Sequence, residues 1–274
     1  MRKNGGRRFL PLLFIILCAI AALFPIVWVA LSSFKPQSEL FSVPMRLLPR
    51  RWTLENYEDA LLRGSFPVYF RNTAFVSIVS TIITVVINVM AGYALGKFVF
   101  PGRTFTFSLM ISTLMIPLQV IMIPIFLQLK RLGLLNSLWG IIIPPAATPT
   151  GVFLARQYMS TIPDSLTEAA RIDGGGEWFV FRSVIIPLSK PIIATIAIFS
   201  FMWRWNDYLW PLIVISKNDK QTIQQALAGF VGQLQINWSD LLAMTTITIL
   251  PIIIVFLAFQ KFFMEGISAG AVKG

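Results

Sequence analysis

The stretch Phe9–Phe34, FLPLLFIILCAIAALFPIVWVALSSF, contains no charged residue. A helix rises about 1.5 Å per residue, so about 20 residues cross the roughly 30 Å hydrocarbon core of a bilayer. A charged side chain at the centre of a membrane helix costs about 2.5–3.5 kcal/mol. The length of this uncharged stretch therefore predicts a membrane-spanning helix.

Similar runs follow along the chain. Four more are uncharged over comparable lengths, and a fifth is interrupted only by Arg204 and Asp207. The predicted spans are residues 9–34, 71–96, 104–129, 132–155, 191–216 and 241–262. The sequence thus predicts an all-α membrane protein with six transmembrane helices.

The composition supports this class. The 274 residues are 56% hydrophobic and 13% charged, whereas soluble domains carry about 25% charged residues. The net charge of +11 would suggest nucleic acid as a partner of a soluble protein. Here the basic residues are scattered through the loops without interleaved aromatic residues, so no nucleic-acid binding is predicted.

Several kinds of site are excluded by residue type. The chain has no histidine, and Cys18 is its single cysteine, so no disulfide, CxxC metal site or HExxH motif can form within it. The glycines at 174–176 lack the following Lys of a GxxxxGK[ST] phosphate loop. We predict no catalytic residue, no metal site and no bound cofactor, so ATP hydrolysis would belong to another chain.

The N-terminal charges predict the orientation. Arg2, Lys3, Arg7 and Arg8 precede the first span, as in a secretory signal peptide, but the apolar run exceeds the 7–15 residues of a signal core. It is therefore predicted to be a retained first helix, which usually sets topology. The predicted cytoplasmic segments are residues 1–8, 156–190 and 263–274, and the predicted extracytoplasmic loops are 35–70 and 217–240. The chain is thus expected to be multi-pass with both termini in the cytoplasm.

The long cytoplasmic loop contains IPDSLTEAARIDGGG at residues 162–176. Ser165 and Glu168 have the spacing of a capping box at a helix start. Gly174 stands where a left-handed residue would end the helix. The pattern predicts a short helix at about 165–174 outside the membrane, and an ordinary loop helix would have the same pattern.

The wider string has a known counterpart. Glu168-Ala169-Ala170, Gly174, Val184 and Ile186-Pro187 together resemble the EAA signature of permease subunits of bacterial ATP-binding-cassette (ABC) importers, with Val184 and Ile186 in place of Ile and Leu. Three further strings resemble the MalG-like carbohydrate branch of that family: SFKP at 33–36, WNDYLWPL at 205–212 and GISAGAVKG at 266–274.

The resemblance implies a type I importer permease fold with a single permease domain at about 68–264. It implies that the EAA segment is a coupling helix that contacts a separate ATPase, and that the tail reaches towards the same subunit. The implied coupling residues are Glu168, Ala169, Ala170, Asp173, Gly174 and Pro187, and the implied tail contacts are Ala269, Gly270 and Ala271.

The same resemblance implies the partners and the location. The partners would be a second, MalF-like permease, two copies of a cytoplasmic ATPase that uses ATP and Mg²⁺, an extracytoplasmic substrate-binding protein and a sugar. The location would be the bacterial inner membrane.

Polar residues within apolar runs are candidates for a transport path, because lipid-facing polar groups are costly. The candidates are Asn88, Gln119, Asn206 and Asp207. Arg204 and Asp207, three residues apart, are expected to pair on one helix face. The nearby Trp203, Trp205, Tyr208 and Trp210 fit an interfacial aromatic belt or stacking on sugar rings, and the belt is the commoner use.

The function expected from these features is uptake of a sugar or oligosaccharide through alternating access driven by a partner ATPase. An importer of a polyol or of glycerol phosphate is the alternative within this class. An ATP-independent carrier or channel is the alternative outside it.

Overall fold

The structure is a computed structural model that describes residues 5–63, 65–231 and 236–271. All regular secondary structure in these ranges is helical. The α-helices are α1 (Gly5–Ser32), α2 (Gln37–Leu40), α3 (Glu55–Glu58), α4 (Phe66–Lys97), α5 (Arg103–Ser112), α6 (Leu118–Arg131), α7 (Leu138–Ile142), α8 (Pro149–Met159), α9 (Asp164–Ile172), α10 (Glu177–Val180), α11 (Ile186–Leu188), α12 (Lys190–Trp205), α13 (Leu209–Val214), α14 (Ile223–Val231) and α15 (Trp238–Ala271). Single π-helical turns occur at Asp59–Arg63 and Phe181–Ile185, and 3₁₀ turns at Thr113–Met115 and Asn218–Lys220.

Three helices of the described chain are long and apolar enough to cross a membrane: Pro11–Ser32, Phe66–Lys97 and Trp238–Lys261. Two bent pairs have the composition of a span, Arg103–Met115 with Leu118–Arg131 at 104° and Glu177–Leu188 with Lys190–Trp205 at 77°. The all-α membrane class is confirmed. Length and composition alone assign up to five spans within the described residues.

The predicted span 132–155 is divided in the structure. It forms α7 and α8, and the residues between them include Pro144 and Pro145. Proline lacks the backbone N–H that a continuing helix needs, and its ring crowds the preceding turn. The break therefore follows from two adjacent prolines that the apolar pattern alone does not weigh.

Other helix ends also differ from the sequence boundaries. Helix α4 begins at Phe66, before the predicted start at 71, and the predicted span 191–216 is broken after Trp205. Helix α15 continues to Ala271, through most of the predicted tail 263–274, and residues 272–274 lie outside the described residues.

The chain contains two compact units, Met1–Pro67 with Ala226–Leu250 and Val68–Gln225 with Pro251–Gly274. In the first, side-chain bonds order the segment after α1. Asn56 Nδ2 donates to the carbonyls of Ser33 at 2.7 Å and Lys35 at 2.9 Å. Ser239 Oγ donates to the same Lys35 carbonyl at 3.2 Å, so α15 and this segment are joined within the unit.

The second unit is built around α4. An apolar cluster lies between the end of this helix and the cytoplasmic loop predicted from the sequence, and includes Tyr93, Met159, Phe181 and Ile185. Helices α4 and α8 approach closely at Gly92, where an added Cβ would lie 2.3 Å from the Cβ of Ala155.

This close approach predicts that Gly92→Ala destabilises the protein by about 1–3 kcal/mol, the usual cost of overpacking, because the added methyl meets helix backbone as well as Ala155. Thermal unfolding in detergent measures the effect. The matched control is Gly229→Ala in α14, where an added Cβ meets nothing within 4 Å. Equal unfolding temperatures for the two variants would contradict the proposed contact.

Candidate functional site

Helix α9 is the helix predicted in the cytoplasmic loop. It begins at Asp164, directly after the extended Pro163, and no side chain caps its N-terminus. The predicted capping box of Ser165 and Glu168 is therefore wrong, because Ser165 lies inside the first turn. Asp164 is instead held by Lys97, whose Nζ donates to Asp164 Oδ1 at 2.7 Å.

The other end of α9 has the predicted glycine turn. Gly174 has φ +85°, a left-handed value that favours glycine. Its amide donates to the Arg171 carbonyl at 3.0 Å, and the amide of Gly175 donates to the Ala170 carbonyl at 2.9 Å. These two bonds form a Schellman motif. The predicted helix end at Gly174 is confirmed.

The two faces of α9 have different surroundings. Thr167 is 2% exposed, and Ala170 packs against the apolar cluster beneath the helix. Glu168, Ala169 and Asp173 are exposed. The alanine pair is thus divided, since Ala170 contacts the protein's own core and Ala169 faces outward.

Large apolar side chains are also exposed around this helix. Ile172 is 85% exposed and Trp178 is 65% exposed. Leu166 and Phe179 are about half exposed, and Pro187 in α11 is exposed as well. Exposed apolar groups gathered in one segment are typical of a surface that another protein covers.

Lys97, the last residue of α4, anchors the start of α9. Its side chain is 5% exposed and donates to the Ile162 carbonyl as well as to Asp164 Oδ1. The hydrogen bond from Lys97, followed by its charge, lowers the pKa of Asp164.

Tyr93 and Glu177 anchor the end of α9. Arg171 donates to both carboxylate oxygens of Glu177, from Nε at 2.7 Å and from Nη2 at 3.3 Å. The hydroxyl of Tyr93 donates to Glu177 Oε2 at 3.2 Å. The bond to Glu177 raises the pKa of Arg171. Because Tyr93 and Lys97 are four residues apart on α4, they lie on one helix face and hold both ends of α9.

The predicted path residues do not come together. The side chain of Asn88 is buried, donating from Nδ2 to Thr148 Oγ1 at 2.7 Å and accepting from the Thr148 amide at 3.1 Å. Gln119 and Asn206 are exposed, and Asn206 Nδ2 donates to the Met202 carbonyl at 2.9 Å. Asn88 therefore holds the break between α7 and α8.

Asp207 lines a cavity of about 340 Å³ together with Trp203 and Arg204. Its Oδ1 accepts from the Trp210 amide at 3.2 Å. Arg204 Nη2 donates to the Pro145 carbonyl at 3.0 Å and makes no bond to Asp207. The expected pairing of Arg204 with Asp207 on one helix face is wrong, because α12 ends before Asp207.

The aromatic residues of this region divide into two groups. Trp205 is 1% exposed and Trp210 is 5% exposed, so neither faces lipid, and Trp210 lines the same cavity as Asp207. Trp203 is 70% exposed and Tyr208 is 40% exposed. An aromatic belt is therefore open only to Trp203 and Tyr208 among these four side chains.

A second cavity, of about 240 Å³, contains residues that the sequence did not single out. Its polar lining consists of Thr84, Thr148, Thr150, Ser200 and Arg204. Arg204 could be identified from the sequence, because it is a charged residue inside an apolar run. Thr148 and Ser200 resemble many other hydroxyl residues of the chain, and only the fold brings them together.

The predicted tail contacts Ala269, Gly270 and Ala271 lie in the last turn of α15. Their side chains lie outside the described residues.

Asp164→Asn is predicted to speed hydrogen exchange in the first turn of α9 at neutral pH, because it removes the ion pair with Lys97. In the wild type, Lys97 lowers the pKa of Asp164. The added stability is therefore present above the ordinary value of 3.8 and is lost as the pH falls through the lowered one. Exchange measured by mass spectrometry tests both points.

Asp173→Asn is the control, since Asp173 is exposed and forms no ion pair within the described chain. The same exchange rate in both variants would contradict an anchoring role for Lys97.

The chain is similar to a known family and to individual transport proteins. The family model described as "Binding-protein-dependent transport system inner membrane component" matches residues 88–268. The permease protein AraQ of an arabinooligosaccharide transport system from Halalkalibacterium halodurans is 37% identical, covering 93% of each chain. The diacetylchitobiose uptake permease NgcG of Streptomyces coelicolor is 32% identical, covering 98% of this chain and 91% of its own.

A solved structure agrees with these relatives. A chain in the crystal structure of a bacterial ABC transporter involved in import of the acidic polysaccharide alginate superposes with a TM-score of 0.85 at 28% identity, covering 96% of this chain and 99% of that one. The helical fold and these matches agree. The protein belongs to the family of inner membrane components of binding-protein-dependent transport systems and is a permease subunit of an ABC importer.

Proposed function

We propose that the protein is one of two permease subunits of an importer that takes up a sugar or oligosaccharide. The partners in this proposal are a MalF-like permease, two copies of a cytoplasmic ATPase that uses ATP and Mg²⁺, and an extracytoplasmic binding protein. The carbohydrate substrates in the names of the relatives AraQ and NgcG support the substrate class.

The observation that carries the coupling proposal is the anchored helix α9 with its exposed outer face. Glu168 and Ala169 face outward, and Ile172 beside them is 85% exposed. A carboxylate next to a small residue and an apolar side chain offers a partner both a hydrogen-bond acceptor and a close contact. We assign this face to the ATPase.

The hydrogen bonds at both ends of α9 would transmit a movement of this helix to α4. A displacement of α9 by the ATPase would pull on Lys97 at one end and, through Glu177, on Tyr93 at the other. Both residues belong to α4, which has 32 residues and is therefore about 48 Å long. A docked helix held at one end would pivot, whereas one held at both ends moves with α4.

The same proposal orients the chain. Helix α9 lies on the cytoplasmic side with residues 1–8 and the C-terminal tail, and Ala269, Gly270 and Ala271 extend towards the ATPase. Of the four predicted path residues, we keep Asp207 in the transport path because it lines a cavity.

An ATP-driven importer predicts that uptake stops when the partner ATPase is inactive. The test uses the complete complex and binding protein in proteoliposomes, with ATP inside and labelled oligosaccharide outside. A complex with a hydrolysis-deficient ATPase is expected to reduce uptake to background. Uptake that continues without ATP hydrolysis would instead identify an ATP-independent carrier.

Gly174→Val and Glu168→Lys are predicted to abolish uptake while membrane insertion is retained. Valine at φ +85° strains the turn by about 1–2 kcal/mol or more, and Lys reverses the charge of the outer face. Uptake and the amount of protein in the membrane are measured together.

Gly176→Ala is the matched control for the glycine, because Gly176 has φ −69° and space for a Cβ. Normal uptake by either test variant would remove α9 from the coupling mechanism.

A further inference from the structure

Two cavities in the second unit share Thr148, Trp203 and Arg204. The smaller, of about 240 Å³, is lined on its polar side by Thr84, Thr148, Thr150 and Ser200. The larger, of about 340 Å³, contains Asp207. Arg204 therefore lies where both cavities meet, with hydroxyl groups on one side and a carboxylate on the other.

The guanidinium of Arg204 is buried and incompletely bonded. The residue is 9% exposed, and its Nη2 donates to the Pro145 carbonyl at 3.0 Å. Its Nε is buried with no hydrogen-bond acceptor. No carboxylate of the described chain forms an ion pair with it, and the nearby Asp207 accepts from the Trp210 amide. Asp207 interacts with this charge through space but makes no direct ion pair with it, and a buried guanidinium without a directly bonded counter-charge is costly.

Ser200 repeats this pattern one turn earlier on α12. It is 9% exposed, and its Oγ is buried without a partner. Residues four apart lie on the same helix face, so Ser200 and Arg204 line the smaller cavity together. Two unpartnered buried groups around one cavity indicate a missing polar ligand.

We infer that the smaller cavity is a substrate subsite, contributed by this chain, for an anionic group carried on a sugar: the carboxylate of an acidic sugar or the phosphate of a phosphorylated sugar. This inference rests on the proposed function. A guanidinium donates paired hydrogen bonds to a carboxylate or a phosphate, and Arg204 has a free Nε to do so.

The charge distribution places the anion. Asp207 lines the larger cavity and is absent from the lining of the smaller one, so an anion on the Ser200 side avoids the carboxylate. The hydroxyls of Thr148, Thr150 and Ser200 suit the hydroxyls of the solute. Trp203, 70% exposed, borders both cavities and offers a ring face to a sugar ring.

The test measures binding to the full transporter complex in nanodiscs by calorimetry. Two probe pairs differ only in the charged group: galacturonate with galactose, and glucose 6-phosphate with glucose. The wild type is expected to bind at least one anionic probe about ten-fold or more tightly than its neutral partner, as for a hydrogen bond to a charged group. The pair that shows the preference distinguishes carboxylate from phosphate.

Three substitutions test the roles of Arg204 and Ser200, and a fourth is the control. Arg204→Gln is expected to remove the preference for the anion, and Arg204→Lys to keep part of it because the charge remains. Ser200→Ala, a smaller change, is expected to weaken anion binding with the fold intact. Arg131→Gln removes an exposed charge and is expected to leave the preference unchanged.

Equal binding within both pairs, no binding of any probe, or a preference that survives Arg204→Gln would each overturn the subsite. A complex that takes up only neutral saccharides in an ATP-dependent manner would also overturn it and leave the proposed importer function standing. Loss of ATP dependence would instead remove the proposed function.

Discussion

Backbone groups that leave a helix inside hydrocarbon must find partners within the protein, because no water is there to bond them. Helix α4 supplies such partners to the break between α7 and α8. Thr84 Oγ1 donates to the Pro145 carbonyl at 3.3 Å, and Asn88 accepts from the Thr148 amide at 3.1 Å. Polar side chains of α4 thus bond backbone groups of the break, as a membrane location of the predicted span 132–155 would require.

The same helix bonds loops at both of its ends. Near its start, Asn72 Nδ2 donates to the carbonyls of Asp219 at 3.0 Å and Gln221 at 2.9 Å. At its end, Tyr93 and Lys97 hold the segment around α9. The loop beginning at 217, predicted to lie outside the membrane, and the loop containing α9 therefore share one continuous helix. In the proposed function this continuous helix would connect the segment assigned to the ATPase with the loop predicted to lie outside the membrane.

The features that the sequence predicted correctly are those that depend on a local pattern of residues. The apolar runs identified the membrane class, and Gly174 identified the end of α9, because charge and left-handed geometry are properties of single positions. The division of residues 132–155 is marked locally by Pro144 and Pro145, which the apolar pattern does not weigh. The burial of Trp205 could not be predicted from local pattern, because it depends on side chains distant in sequence.

The errors have the same origin. The capping box failed because α9 begins at Asp164, directly after Pro163, so that Ser165 lies within its first turn. The pairing of Arg204 with Asp207 failed because a helix was assumed to continue, whereas it ends at Trp205. In both cases the local pattern did not specify where the helix begins or ends, and a single sequence contains no record of the contacts that the rest of the fold makes there.

The backbone carbonyl oxygen of Pro145 is hydrogen-bonded both to helix α4 and to a residue that lines the two cavities. The Pro145 carbonyl accepts from Thr84 of α4 and from Arg204 of α12. A ligand that turns the guanidinium towards itself leaves this carbonyl with Thr84 as its described donor, and a carbonyl that loses a donor in an apolar setting is destabilised. A ligand bound in the cavities would therefore change how the α7–α8 break is attached to α4, because both depend on hydrogen bonds to the Pro145 carbonyl. Since α4 also holds both ends of α9, the groups proposed to bind substrate and those proposed to contact the ATPase act on the same helix.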